Sequence, residues 1–241
     1  VIKKILRSSI SDLICKGVKP KFYFISASGN KKTFTKKNLY KISKSLKFEQ
    51  NKFNIILCGG DTTLSNKLSF TITSMGYSNK IIYRNKAKLN DDIYVTGNLG
   101  DSYLGLKLLS NKVNIKKKDK LFFINKYYKP DLPLNLTKYL FKFANSSIDV
   151  SDGLIDDLSK MINKQNLSFH LFENKIPISK KLNNLIKKQK FRKIDVISKG
   201  DDYQTLFTAN VNKARIIKNA SKATRIKITK IGKIVSGKNK S

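Results

Sequence analysis

The hydrophobic pattern of this chain switches repeatedly between a helical and an alternating period, and neither lasts long enough for an all-helical or an all-strand fold. Ile2, Ile5, Leu6, Ile10, Leu13 and Ile14 recur at helical spacing, and Gly17 and Pro20 end the pattern. Asp12 projects from the edge of that apolar stripe, where a carboxylate can border a cleft. "KFYFISAS" predicts a strand, Thr35 caps a helix carrying Leu39, Ile42 and Leu46, and "FNIILC" predicts a buried strand. "LSFTITSMG", "KIIYR" and "DDIYVTG" predict short strands, being rich in β-branched and aromatic residues.

The pattern changes after Gly97. "GDSYLGLKLL" and "DKLFFINKYY" predict helices before Pro130 and Pro133 break the chain. "SSIDVSDGLIDDLSKMI" passes from a strand through a turn into a helix, and "SFHLF" returns as a strand. Helices around 178–189 and 211–219 then alternate with strands "YQTLFTA" and "RIKITKIGKIV", before a lysine-rich tail expected to fray. This order predicts an α+β protein of two units, residues 1–97 and 98–241, with mixed sheets and helices packed on one side.

The 50 Lys+Arg against 16 Asp+Glu give a net charge of +34, which raises the question of a nucleic-acid or membrane partner. The lysines are spread along nearly the whole chain among asparagine and isoleucine, without an Arg-rich arm or an aromatic-interleaved motif. That dispersal is compositional in character, so nucleic acid is not expected as the main partner. No apolar run reaches the ~20 residues that span a bilayer, so no membrane is expected and the expected location is the cytoplasm. Cys15 and Cys58 are too few for a disulfide framework or a zinc site and are read as reduced thiols. The single histidine, His170, is read as structural.

Against so basic a background the acidic residues carry the information. In "IILCGGDTT" an apolar run meets Gly59, Gly60 and Asp61, which is either a plain turn or a place where backbone N–H groups approach a phosphate beside a metal-binding carboxylate. "IDVSDGLIDDL" holds Asp149, Asp152, Asp156 and Asp157, and "KGDDYQTLF" holds Asp201 and Asp202. Asp156 and Asp157 are read as a solvated helix face, whereas alternation sends Asp149 and Ser151 to one side, where carboxylate and hydroxyl could serve metal and phosphate together. Phosphoryl transfer needs cations at the phosphate oxygens and little covalent work from the protein, and Mg²⁺ is usually held by a few scattered carboxylates. No Walker P-loop and no complete kinase signature is present.

Taken in order, "SDLICKGVKP", "GGDTT", "DDIYVTGNLGDSYLGL", "SIDVSDGLIDDL" and "GDDYQTLFT" resemble the bacterial thiamine-monophosphate kinases over essentially the whole chain. The resemblance implies the two-domain α+β fold of the aminoimidazole ribonucleotide synthetase superfamily and a homodimer when complete. It implies an ATP- and Mg²⁺-dependent phosphorylation of thiamine monophosphate to thiamine diphosphate by direct in-line transfer. Residue by residue, it implies that Asp12, Asp61, Asp149 and Asp152 are Mg²⁺ ligands and that Gly60, Asp61, Arg84 and Ser151 contact ATP. Asp201 takes the place of a substrate-binding acidic residue, commonly glutamate in the family. The Gly-Asp-Asp metal motif that the family carries ahead of its first helix, and its closing aromatic contact, have no counterpart in this sequence, so the chain alone is expected to be poorly active or inactive. The readings set beside this one are another ATP-dependent enzyme of the superfamily, a basic nucleic-acid-binding module and a non-catalytic remnant.

Overall fold

The structure is a computed structural model, and it describes residues 1–189 and 192–237. Helix α1 (Ile2–Cys15) leads to β1 (Pro20–Gly29), α2 (Lys36–Phe53), β2 (Ile56–Leu64) and β3 (Ser69–Gly76). Thr35 caps α2 as expected, its side chain accepting a hydrogen bond from the Asn38 amide, and Asn54 closes the helix in the left-handed conformation. The three strands form a mixed sheet in the order β2-β1-β3, with β1 parallel to β2 and antiparallel to β3. Ile2, Leu6, Ile10 and Ile14 of α1 pack with Leu46 and Phe53 of α2 against Tyr23, Ile25, Phe70 and Ile72, so both helices cover one face of this sheet.

A second sheet begins with β4 (Asp92–Thr96) and is followed by α3 (Asp101–Leu109), α4 (Lys117–Tyr128) and the short α5 (Thr137–Leu140). Then come β5 (Ala144–Asp149), α6 (Leu154–Ile162), β6 (Leu167–Leu171), α7 (Lys180–Gln189), α8 (Lys193–Ile197), β7 (Thr205–Ala209), α9 (Ala214–Thr224) and β8 (Ile228–Ser236). Its five strands run in the order β5-β7-β4-β8-β6, with every paired neighbour antiparallel. β4 lies at the centre of this sheet, so sheet membership changes between Gly76 and Asp92, ahead of residue 97.

Helices cover both faces here, unlike the one-sided packing expected. Ile93, Val95 and Leu206 meet Leu154, Leu158 and Met161 of α6 on one side. Tyr94 and Phe207 meet Leu140 of α5 and Ile217 of α9 on the other. A central strand buried on both faces leaves no solvent side, which is why all five residues of β4 are buried.

Three local expectations change. β2 runs on through Gly59, Gly60 and Asp61, because β1 supplies a parallel ladder that pairs Ile25 with Gly60 and Ser26 with Asp61. β2 is also exposed along its whole length, being an edge strand with no partner beyond it among the described residues. "KIIYR" forms no strand; the Ile82 amide donates to the Lys16 carbonyl and its side chain enters the core beside Tyr94 and Phe207. The lysine-rich tail beyond Gly237 lies outside the described residues.

Candidate active site

Helix α1 has two working faces. Its apolar face holds the three-stranded sheet, while Lys4, Ser8 and Ser11 recur at helical spacing on a polar stripe turned toward the second sheet. The Ser11 hydroxyl donates to Asp149 Oδ2 at 2.6 Å, joining residues 138 apart in sequence. Asp149 closes β5 and is buried; burial raises its carboxyl to about 6, opposed by the Ser11 hydrogen bond and reinforced by the negative charge of Asp12. Asp12 itself is open to solvent, yet partial desolvation still raises its carboxyl, with Lys16 and Arg84 pulling the other way. Asp12 is therefore coupled electrostatically to Asp149 at the end of β5 and, separately, to Arg84 in the loop before β4.

The chain turns sharply after Asp149. Asp157 Oδ2 accepts hydrogen bonds from the backbone amides of Ser151, Asp152 and Gly153 at 2.9, 2.8 and 3.0 Å. Its other oxygen meets Lys160 Nζ at 3.2 Å, and the side chain is 1% exposed. The solvated face expected for Asp157 is thus corrected: the first turn of α6 points this carboxylate back at orphan N–H groups of its own N-terminus. Asp156 is exposed, as expected. Gly153 sits at φ +131°, where an added Cβ would lie 2.4 Å from the Ser198 carbonyl oxygen.

The remaining expected residues fall around this centre. Asp152 is exposed and ion-paired with Lys160. Asp61 is exposed on β2, its Oδ1 accepting from the neighbouring Thr62 amide. Gly60 is a packing necessity, since a Cβ there would stand 1.8 Å from the Ile25 carbonyl oxygen. Asp201 pairs with Lys4 at 2.8 Å and accepts from the Tyr203 hydroxyl at 3.1 Å.

Two further carboxylates carried no site role from the sequence, Asp202 being noted there only beside Asp201. Asp202, buried, accepts from the Gly100 and Ser102 amides at 2.6 and 3.3 Å, so it caps α3 from across the fold. Burial raises it to about 7. Asp101 is raised by burial to about 6 while accepting from Ser179. Both line a cavity of about 220 Å³ with Lys126 and Arg225, and none of Asp12, Asp61 and Asp149 borders it.

The donor chemistry at Asp12 and Asp149 fits a hard divalent cation: both offer carboxylate oxygens, and a positive ion would offset the burial, and the lesser repulsion from Asp12, that push Asp149 up. Asp61 and Asp152 do not join them, since among the described residues no three His, Cys, Asp or Glu side chains converge to hold one metal ion. His170 is exposed and packs edge-on to Phe172, and both cysteines are free. Among the described residues no helix is long and apolar enough to cross a membrane.

Comparison with known proteins gives this geometry a family. Residues 3–78 match the family model for the N-terminal domain of AIR synthase related proteins. The thiamine-monophosphate kinase of Buchnera aphidicola subsp. Acyrthosiphon pisum is 36% identical over 89% of this chain and 67% of its own length. The crystal structure of thiamine-monophosphate kinase from Stenotrophomonas maltophilia superposes with a TM-score of 0.89 at 27% identity, covering 99% of this chain and 76% of the other. A structure of AaThiL complexed with AMPPCP and TMP gives 0.87 at 24% identity, over 99% and 76%, and so bears on the fold. With its α+β architecture, its carboxylate-bearing strand ends and these relatives together, the chain belongs to the thiamine-monophosphate kinase family.

Proposed function

We propose that this protein transfers the γ-phosphoryl group of ATP to the phosphate of thiamine monophosphate, releasing ADP and thiamine diphosphate. An acceptor phosphate oxygen attacks the γ-phosphorus in line as the bond to the β-phosphate oxygen breaks. The observation that carries this reading is that Asp12 on α1 lies within electrostatic reach of Asp149 at the buried end of β5 and, separately, of Arg84 in the loop before β4. That arrangement suits a reaction in which both substrates are polyanions, because the protein's task is to place charge and align oxygens.

Mg²⁺ fits Asp12 and Asp149, with Asp61 and Asp152 serving separate ions, and when bound it would neutralise charge on the phosphate oxygens. The chain's own residues orient the substrates. Arg84 faces anionic phosphate; the Ser151 turn, tied down by Asp157, offers a hydroxyl; and Gly60 and Asp61 present the β2 backbone to the nucleotide. Asp201 contacts the thiamine moiety. A homodimer is supported by the outer edge of the first sheet, where Ile56 and Leu64 of β2 are 59% and 87% exposed.

The test is conversion of thiamine monophosphate to thiamine diphosphate with ATP and Mg²⁺, followed by product chromatography. Product that disappears when Mg²⁺ is chelated supports the reading. Binding of Mg-ATP without any product from thiamine monophosphate would move the assignment to another substrate of the same superfamily.

A further inference from the structure

The N-terminal half of the polar stripe on α1 forms a second constellation. Lys4 Nζ lies 2.8 Å from Asp201 Oδ1 and 3.3 Å from the centroid of the Tyr127 ring, so its ammonium is held by an ion pair and by an aromatic face. The same Oδ1 accepts the Tyr203 hydroxyl at 3.1 Å. Asp201 and Tyr203 both hold positive φ, +72° and +52°, a region costly for a bulky aromatic residue. Backbone bonds hold them there: the Asp201 amide donates to the Ser151 carbonyl at 2.9 Å and the Tyr203 amide to Val150 at 2.8 Å. The strained turn is therefore tied directly to the segment that follows Asp149.

One carboxylate oxygen of Asp201 is saturated by this arrangement. Among the described residues no hydrogen-bond partner meets Oδ2, and the side chain keeps 28% of its surface open, against 15% for Lys4. A carboxylate paired this closely has little net charge left to attract a cation. It retains a lone-pair direction.

We propose that Lys4 is a positioning residue for Asp201, holding Oδ1 so that Oδ2 is presented as an acceptor to an uncharged N–H donor of the substrate. On the reading of the substrate given above, that donor class is the exocyclic amine of the pyrimidine ring, and the positively charged thiazolium is excluded from this point by the Lys4 ammonium. The alternative arrangement, in which Asp201 is a counterion for a cationic ring and Lys4 its competitor, predicts the opposite sign on removing Lys4.

The experiment uses Lys4→Met, which keeps an unbranched apolar stem against Tyr127, together with Lys4→Arg, Asp201→Asn and the double variant Lys4→Met/Asp201→Asn in the full chain. Thiamine monophosphate binding by calorimetry and the separate kcat and KM values for both substrates are the readouts, with thermal unfolding to establish folding. Lys4→Met is expected to weaken thiamine monophosphate binding about tenfold, the scale of one lost charge-assisted contact, with KM for ATP unchanged. Lys4→Arg should restore most of the affinity, and the double variant should bind no worse than Asp201→Asn alone. Tighter binding by Lys4→Met, additive losses in the double variant, or a fall in kcat at unchanged affinity would each overturn the proposal. Failure of the parent protein to bind thiamine monophosphate would instead overturn the substrate on which it rests, and the parent titration shows this separately.

Discussion

Asp157 offers the sharpest test of how the turn after Asp149 is built. Its Oδ2 accepts three backbone amides within 3.0 Å, and its Oδ1 contacts Lys160. Alanine removes that acceptor. Gly153 is buried, Ser151 half-buried and Asp152 exposed, so water can reach the outer two amides while the Gly153 amide is left without a partner. Orphaning one buried donor costs about 1–3 kcal/mol, and a hydrogen bond to a charged group contributes about 1.5–3 kcal/mol. With partial rescue by water, Asp157→Ala should lose about 3–4 kcal/mol of stability. Asp157→Asn retains an oxygen in place and gives up the charge and the Lys160 pair, so it should lose about 1–2 kcal/mol. Urea unfolding of the three proteins measures both losses, and the KM for ATP should rise in the order wild type, Asn, Ala as the Ser151 turn loosens. An alanine variant within about 0.5 kcal/mol of wild type, or an asparagine variant no better than alanine, would refute the reasoning.

Gly60→Ala places a methyl group against the Ile25 carbonyl, so the β1–β2 ladder must part; hydrogen exchange of the β2 amides should accelerate while the five-stranded sheet keeps its protection. Asp202 is raised from the ordinary aspartate value to about 7, so the folded state binds the extra proton between those values. Its contribution to stability is full below the unfolded value and is lost as pH rises through about 7, by up to about 1.4 kcal/mol per pH unit, and Asp202→Asn should flatten that slope in urea titrations. Asp149, raised to about 6, carries the same sign, and a cation favours its ionised form. Mg²⁺ should therefore raise the melting temperature more at pH 8 than at pH 5, and Asp149→Asn should erase most of that difference. Asp61→Asn and Asp149→Asn should each cut turnover by an order of magnitude or more, about 1.4 kcal/mol at least, with the fold intact by circular dichroism. Near-wild-type rates in both would remove the metal assignment.

The element pattern was legible wherever its cause is local. Periodic isoleucines and leucines specify α1, Thr35 marks the start of α2, and proline and glycine mark the breaks. β2 and "KIIYR" were misread for one reason: strand formation is decided by a hydrogen-bonding partner elsewhere in the chain. β1 offers one to Gly59, Gly60 and Asp61, whereas Tyr83 accepts only isolated contacts from Ser146 and Ser147. Asp157 left a faint local signal, an acidic residue in the first turn of a helix preceded by a glycine turn, but its burial depends on packing that no short window contains.

By itself the sequence determined the helices, most strands, the α+β class and the candidate carboxylates, because these follow from spacing along a few turns of chain. Tertiary structure decided which carboxylates meet. Ser11 reaches Asp149 and Lys4 reaches Asp201 only because α1 lies between two sheets and presents a different face to each. The pKa shifts of Asp149 and Asp202 likewise arise from burial that distant elements create, since desolvation depends on what surrounds a group in space and not on its neighbours in sequence.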